Sequence, residues 1–106
     1  MDLEVYWTEF AQKELYKIFK HYLEKANYKI ARNLTDKIFE EALKLEKQPE
    51  IGQIEELLKD REQNFRYLLY KKNYKIIYWI NRIENRIEIN DVFDVRQYPL
   101  KIKRSK

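Results

Sequence analysis

Cysteine is absent from the 106 residues. That excludes disulfides, thiol nucleophiles, Cys-ligated zinc and iron–sulfur centres. A single histidine, His21, excludes a metal site built on a histidine cluster. One glycine leaves no Gly-rich phosphate loop and, with only two prolines, no collagen-like or linker-rich chain. The only serine, Ser105, lies among basic residues, so a Ser–His–Asp triad is not expected. No apolar run approaches the roughly 20 residues of a membrane span. Met1 to Thr8 lacks the basic-then-apolar layout of a signal peptide. A soluble cytoplasmic protein with no cofactor and no bound metal is the expectation.

What remains is a chain with 44% hydrophobic and 38% charged residues, enough apolar content for one folded domain. Its net charge of +4 is unevenly placed. Residues 1–60 hold ten Lys/Arg against thirteen Asp/Glu, and residues 61–106 hold twelve against five. The second half is therefore net +7, and it closes on a basic tail over about residues 97–106. A basic half fits an anionic partner, either nucleic acid or an acidic protein segment; a solubilising surface has the same composition.

Leu3, Val5 and Trp7 alternate with polar neighbours and predict an opening strand. Thr8 is placed to cap a helix over about residues 8–26, with Ala11, Leu15, Ile18, Tyr22 and Ala26 as its apolar stripe. Asn27 is a stop signal, and a second helix follows from about Tyr28 to Lys47 on Ile30, Leu34, Ile38, Ala42 and Leu45. The short connection predicts an antiparallel helical hairpin, with Phe19 and Phe39 widening its core faces. Pro49-Glu50-Ile51-Gly52 turns the chain, and Ile54, Leu57 and Leu58 predict one or two helical turns. After Asp60 the period falls from 3.6 to 2. Three strands, around Phe65–Leu69, Tyr74–Ile80 and Ile87–Val95, are joined by turns at Lys71–Asn73 and Asn81–Asn85. The middle strand is apolar on both faces and so belongs at the centre. The order β-α-α-β-β-β gives a single α+β domain: a twisted antiparallel meander with a helical hairpin against one face.

Few residues are arranged for chemistry. His21 alone on a charged helix is most simply a surface residue. Asp91 and Asp94 have the spacing to share a metal, but ion pairs to nearby Arg or Lys are the favoured reading. The outstanding feature is a sheet half in which Arg66, Lys71, Lys72, Lys75, Arg96, Lys101, Lys103 and Arg104 are interleaved with Tyr67, Tyr70, Tyr74, Tyr78 and Tyr98. Cations bind phosphate and rings stack on bases. Such a site can stabilise a developing phosphorane without a metal, provided a base with a depressed pKa takes the 2′-hydroxyl proton. Packing within the sheet accounts for most of the tyrosines equally well.

Four segments in order resemble the RelE/ParE superfamily, the toxins of bacterial type II toxin–antitoxin (plasmid stabilisation) modules. They are Val5-Tyr6-Trp7-Thr8-Glu9-Phe10-Ala11, the hairpin ending at Pro49-Glu50-Ile51-Gly52, Phe65 to Leu69 with Asn73 to Tyr78, and Ile89 to Pro99. The resemblance covers nearly the whole chain and implies a growth-inhibiting toxin silenced by a cognate antitoxin. It leaves two targets open. ParE-like members inhibit DNA gyrase and are not enzymes; RelE-like members are metal-independent endoribonucleases that cut mRNA on the ribosome. The long hairpin and Pro-x-x-Gly turn look more ParE-like. Arg66 matches the strand arginine after the hairpin, Arg96 the basic residue closing the last strand, and Tyr98 lies near a C-terminal tyrosine. These three are the implied catalytic set if the chain is RelE-like. Lys71, Lys72, Lys75, Lys101, Lys103 and Arg104 are the expected contacts to target or nucleic acid. The implied partners are the antitoxin, gyrase or the ribosome with its mRNA, and a second copy in a homodimer, with no membrane. Too little chain follows Pro99 for a sizeable C-terminal helix. A non-toxic RNA- or protein-binding module is the alternative from another class.

Overall fold

Thr8 sets the first junction. Its hydroxyl accepts from the Ala11 N–H (3.1 Å) and donates to the Ile89 carbonyl (2.9 Å), so one side chain caps α1 (Glu9–Lys25) and ties it to the sheet. Asn27 works in the opposite sense to a stop signal. Its carboxamide oxygen accepts from the Ile30 N–H at 2.9 Å and starts α2 (Tyr28–Leu43). The helical path then tightens to a 3₁₀ turn over Lys44–Glu46. The computed structural model describes residues 2–105; Met1 and Lys106, the outer ends of the opening segment and the basic tail, lie outside the described residues.

The remaining elements form one sheet. β1 (Glu4–Trp7), β2 (Gln53–Ile54), β3 (Arg66–Tyr70), β4 (Tyr74–Asn81) and β5 (Arg86–Asp94) stand in the order β1-β5-β4-β3-β2. The expected meander is β3-β4-β5, and β4 is central. β1 joins β5 in parallel, from Glu4 opposite Arg86 to Trp7 opposite Ile89. A bulge in β5 leaves Asn90 between the pairs Ile77–Asp91 and Tyr78–Ile89, and so re-aims the last half of that strand.

Alternation in β4 divides the core. Tyr74, Ile76 and Tyr78 face the hairpin, packing with Trp7, Ala11, Ile38, Ala42 and Ile89. Ile77 faces the other way, onto Phe65, Phe93, Leu58 and Ile102. Ile76, Ile77 and Tyr78 are fully buried. Each such side chain contributes about 2–3 kcal/mol over an exposed position, which makes this strand the spine of the fold.

The second face is closed by pieces that have no strong period. The Ile54 segment pairs with β3 as a two-residue strand rather than continuing a helix, and only Glu56–Leu58 makes a 3₁₀ turn. The C-terminal segment winds as a 3₁₀ helix over Pro99–Arg104 and buries Ile102 completely. The described part of the tail is therefore docked. Arg61 holds it by donating to the Ser105 and Lys103 carbonyls. Phe39 departs from its expected core position and is 46% exposed. No described element covers the outer side of the hairpin there, so the ring stacks on Trp7 (centroids 5.7 Å apart) at the surface.

Candidate functional site

Tyr78, in the middle of β4, and Tyr74, at its start, carry different constellations. Tyr78 is buried, and its hydroxyl donates to the Pro49 carbonyl (2.8 Å) and accepts from the Gly52 N–H (2.9 Å). Burial raises the phenol pKa above its ordinary range. The turn lies so close that a Cβ on Gly52 would fall 2.5 Å from the Tyr78 hydroxyl and 2.8 Å from the Tyr67 carbonyl. Glycine is required here by close approach. Arg66 belongs with Tyr78. Its guanidinium donates to the carbonyls of Gly52 (2.8 Å) and Glu50 (3.2 Å).

On the Tyr74 side Arg96 forms a two-pronged pair with Asp94, both bonds 2.9 Å, and its backbone N–H also reaches Asp94 Oδ1. This holds the Asp94 carboxyl below the usual carboxylate range. The same guanidinium lies 3.5 Å from the Tyr74 hydroxyl, which lies 3.5 Å from the Tyr22 hydroxyl on α1. Hydrogen bonds from Tyr74 and then Arg96 lower the Tyr22 pKa, whereas burial raises that of Tyr74. His21 sets its ring edge-on to Tyr22 at 4.9 Å. These groups line a depression of about 180 Å³. Chemically it offers a cation, a phenol of lowered pKa and an imidazole.

Arg66 and Arg96 do not converge. Arg66 pairs with Tyr78 and Arg96 contacts Tyr74, four strand positions away, a separation of roughly 13 Å along β4 at strand rise. Tyr98 is 63% exposed. Of the other expected contacts, Lys75 is paired with buried Glu55 (2.6 Å) and lies over the Tyr67 ring. Arg104 bridges Asp91 (3.0 Å) and Glu14 (3.1 Å), and Lys103 pairs with Asp60 (3.6 Å). Burial raises the Asp91 carboxyl against the pull of Arg104. Lys71 and Lys72 stand exposed at the β3–β4 turn, and Lys101 is exposed on the tail. Asp91 and Asp94 thus each serve a different arginine. Among the described residues no group of three His, Asp or Glu side chains is placed to hold a metal ion. No helix of the described residues is long and apolar enough to cross a membrane.

The sequence does not single out two participants, Tyr22 and Glu14. Tyr22 belongs to the α1 stripe, and Glu14, a charged residue of the same helix, is buried. His21 is exposed, as its place alone on a charged helix predicts. The available signal was their i, i+7 and i, i+8 spacing along one face of α1, which brings Glu14, His21 and Tyr22 to the same end of the sheet. A separate apolar groove of about 490 Å³ runs along the hairpin between Trp7, Leu15, Tyr16, Phe19 and Phe39. Trp7 Nε1 is buried beside it without a hydrogen-bond partner among the described residues.

Comparison with known proteins bears on the whole of this arrangement. The profile described as ParE toxin of type II toxin–antitoxin system, parDE, matches residues 5–98. No curated protein matches the chain. Among solved structures, one titled chromosomal ParDE TA system from P. aeruginosa is similar, with a TM-score of 0.72 and 17% identity over 87% of this chain and 95% of that one. At that identity the likeness concerns the fold. The profile runs from β1 through both helices and the whole sheet to Tyr98, taking in Tyr74 and Tyr78, and on that span the chain belongs to the ParE toxin family of type II toxin–antitoxin systems.

Proposed function

We propose that the chain arrests growth by inhibiting DNA gyrase and that a cognate antitoxin holds it silent in the cytoplasm. The observation that carries this reading is the separation of Arg66 from Arg96. Cutting RNA without a metal requires cations and a base gathered on one scissile phosphate. Arg66 is instead committed to the Pro49–Gly52 turn. Membership of the ParE family supports the same choice. Lys71, Lys72 and Lys101 are the exposed cations left for target contact; Lys75, Lys103 and Arg104 act in holding the sheet and tail. The aromatic groove on the hairpin suits an amphipathic segment of the antitoxin.

Expression from a tightly repressed promoter tests this. Growth arrest, filamentous cells and broken nucleoid DNA with intact mRNA are expected, and co-expressed antitoxin restores growth. Normal growth would favour a non-toxic binding module. One cluster favours a second reading, ribosome-dependent mRNA cleavage: Tyr22, with its lowered pKa, stands beside Tyr74 and Arg96 as a base beside a charge stabiliser. On that reading Tyr22→Phe abolishes arrest and A-site mRNA cuts appear. On the gyrase reading Tyr22→Phe stays toxic.

A further inference from the structure

A cavity of about 570 Å³ opens between α2 and the start of β4. Lys29 and Lys71 line it, and no carboxylate does. Other cations of the sheet half are paired: Lys75 with Glu55, Arg96 with Asp94 and Arg104 with Asp91. Lys29 and Lys71 form no ion pair among the described residues. Lys71 rests only over the Tyr70 ring, 5.7 Å from its centroid. It does so with φ of 48°, at a turn position where Asn or Gly is favoured. The cavity thus holds two uncompensated positive charges. A phosphate monoester carries about −1.5 to −2 at neutral pH and would match them.

The remaining walls have the chemistry of a base site. Ile30, 49% exposed, and Leu34 give an aliphatic surface beside the Tyr70 ring. A planar base covers such a surface and stacks on a ring. Asn33 and Asn73 line the same cavity, and neither side chain is hydrogen-bonded among the described residues. The backbone of Asn73 is used in the fold, donating to Tyr70 and accepting from Val95. Each free carboxamide offers both donors and an acceptor, which is what the edge of a base requires. The volume lies within the roughly 300–1,000 Å³ of small-molecule sites.

We propose that this cavity binds a nucleotide. The phosphate sits between Lys29 and Lys71, the base lies on Ile30, Leu34 and Tyr70, and its edge bonds Asn33 and Asn73. Inorganic phosphate would leave the aliphatic surface and both carboxamides unused, so the group recognised is a phosphate joined to a base. A free mononucleotide and the phosphorylated end of a single strand both present it. The inference does not rest on the gyrase reading.

The test follows backbone amide shifts of the full chain by NMR during titration. The probes are the ribonucleoside 5′-monophosphates, their nucleosides, ribose 5-phosphate and a short 5′-phosphorylated single strand. At least one monophosphate is expected to shift residues 29–34 and 70–74. It should bind about tenfold more tightly than its nucleoside or ribose 5-phosphate. Lys71→Asn suits the left-handed position, so it should melt no lower than the wild type yet bind the monophosphate about tenfold more weakly. Ile30→Ala should weaken binding roughly threefold. Asn33→Ala should alter the preference among bases and leave ribose 5-phosphate binding unchanged. A strand that binds no tighter than the monophosphate assigns a free nucleotide, and a tighter one acting through the same residues assigns a strand end; both uphold the site. No monophosphate binding, equal binding of ribose 5-phosphate, unchanged affinity in Lys71→Asn, or shifts confined to the Arg96 depression would each overturn the proposal. Gyrase inhibition is scored separately, so an empty titration sinks this inference and leaves the toxin reading standing.

Discussion

Tyr78 and Tyr74 lie on the same strand, face the same helical hairpin and are both buried, yet they serve different ends. The Tyr78 site is closed. Its hydroxyl, the Gly52 N–H, the Pro49 carbonyl and Arg66 satisfy one another, and there is no room for a methyl group. The Tyr74 site is open. Its hydroxyl has only long contacts, to Tyr22 and Arg96, and it borders two depressions rimmed by cations. An arginine on a basic sheet is therefore not one kind of residue. Arg66 fastens a turn, whereas Arg96, 54% exposed, presents charge to solvent. Short, fully used hydrogen bonds mark structure here; long ones beside a cavity mark the surface available to a partner.

Substitutions at the two sites should separate these roles. The largest loss is expected from Gly52→Ala. Its methyl would press on the Tyr67 backbone carbonyl as well as the Tyr78 ring, at a cost of about 1–3 kcal/mol. Thermal melting reads this as a clear drop, and an unchanged melting temperature would mean that the turn is not clamped. Tyr78→Phe comes next. It strands the Gly52 N–H and the Pro49 carbonyl, for about 1–2 kcal/mol by denaturant titration. Tyr74→Phe, the matched change at the open site, should cost less than about 1 kcal/mol, because its hydroxyl contacts are at the limit of hydrogen bonding.

Two smaller effects are electrostatic. Asp94 has a lowered folded pKa through Arg96, so its contribution is present above its unfolded value near 3.9 and is lost as pH falls through the folded value. Arg96→Gln should therefore lower stability slightly at neutral pH, by well under about 1 kcal/mol for so exposed a pair. The gap from wild type should close in acid; a gap that persists there would rule out this pair as its source. In ultraviolet titration one phenol, Tyr22, should ionise below the ordinary tyrosine range near 10, and Tyr74→Phe should return it upward. No change in the Tyr22 titration would show that the two hydroxyls do not communicate.

The sequence made the long periodic elements legible, because β4 and β5 bury both faces and each helix keeps one stripe. It was less informative where burial is decided by what covers an element. Phe39 continues a helical stripe, but no described element covers that side, so it is exposed. Gln53–Ile54 is too short to show a period and becomes a strand only because Tyr67 and Arg66 offer an edge. The basic tail reads as solvated, yet Ile102 and Arg104 dock it onto Phe93 and Asp91. For the candidate site, the family resemblance nominated Arg66 and Arg96 together. Only the register, which assigns them to Tyr78 and Tyr74, separates them.

The most direct measurement adds the purified chain to gyrase supercoiling a relaxed plasmid, alongside a translating ribosome assay in which mRNA ends are mapped. Loss of supercoiling with accumulation of cleaved plasmid, and intact mRNA, is the expected result. Unimpeded gyrase with mRNA cut in the ribosomal A site would contradict it, and would move the function to the Tyr22–Tyr74–Arg96 cluster.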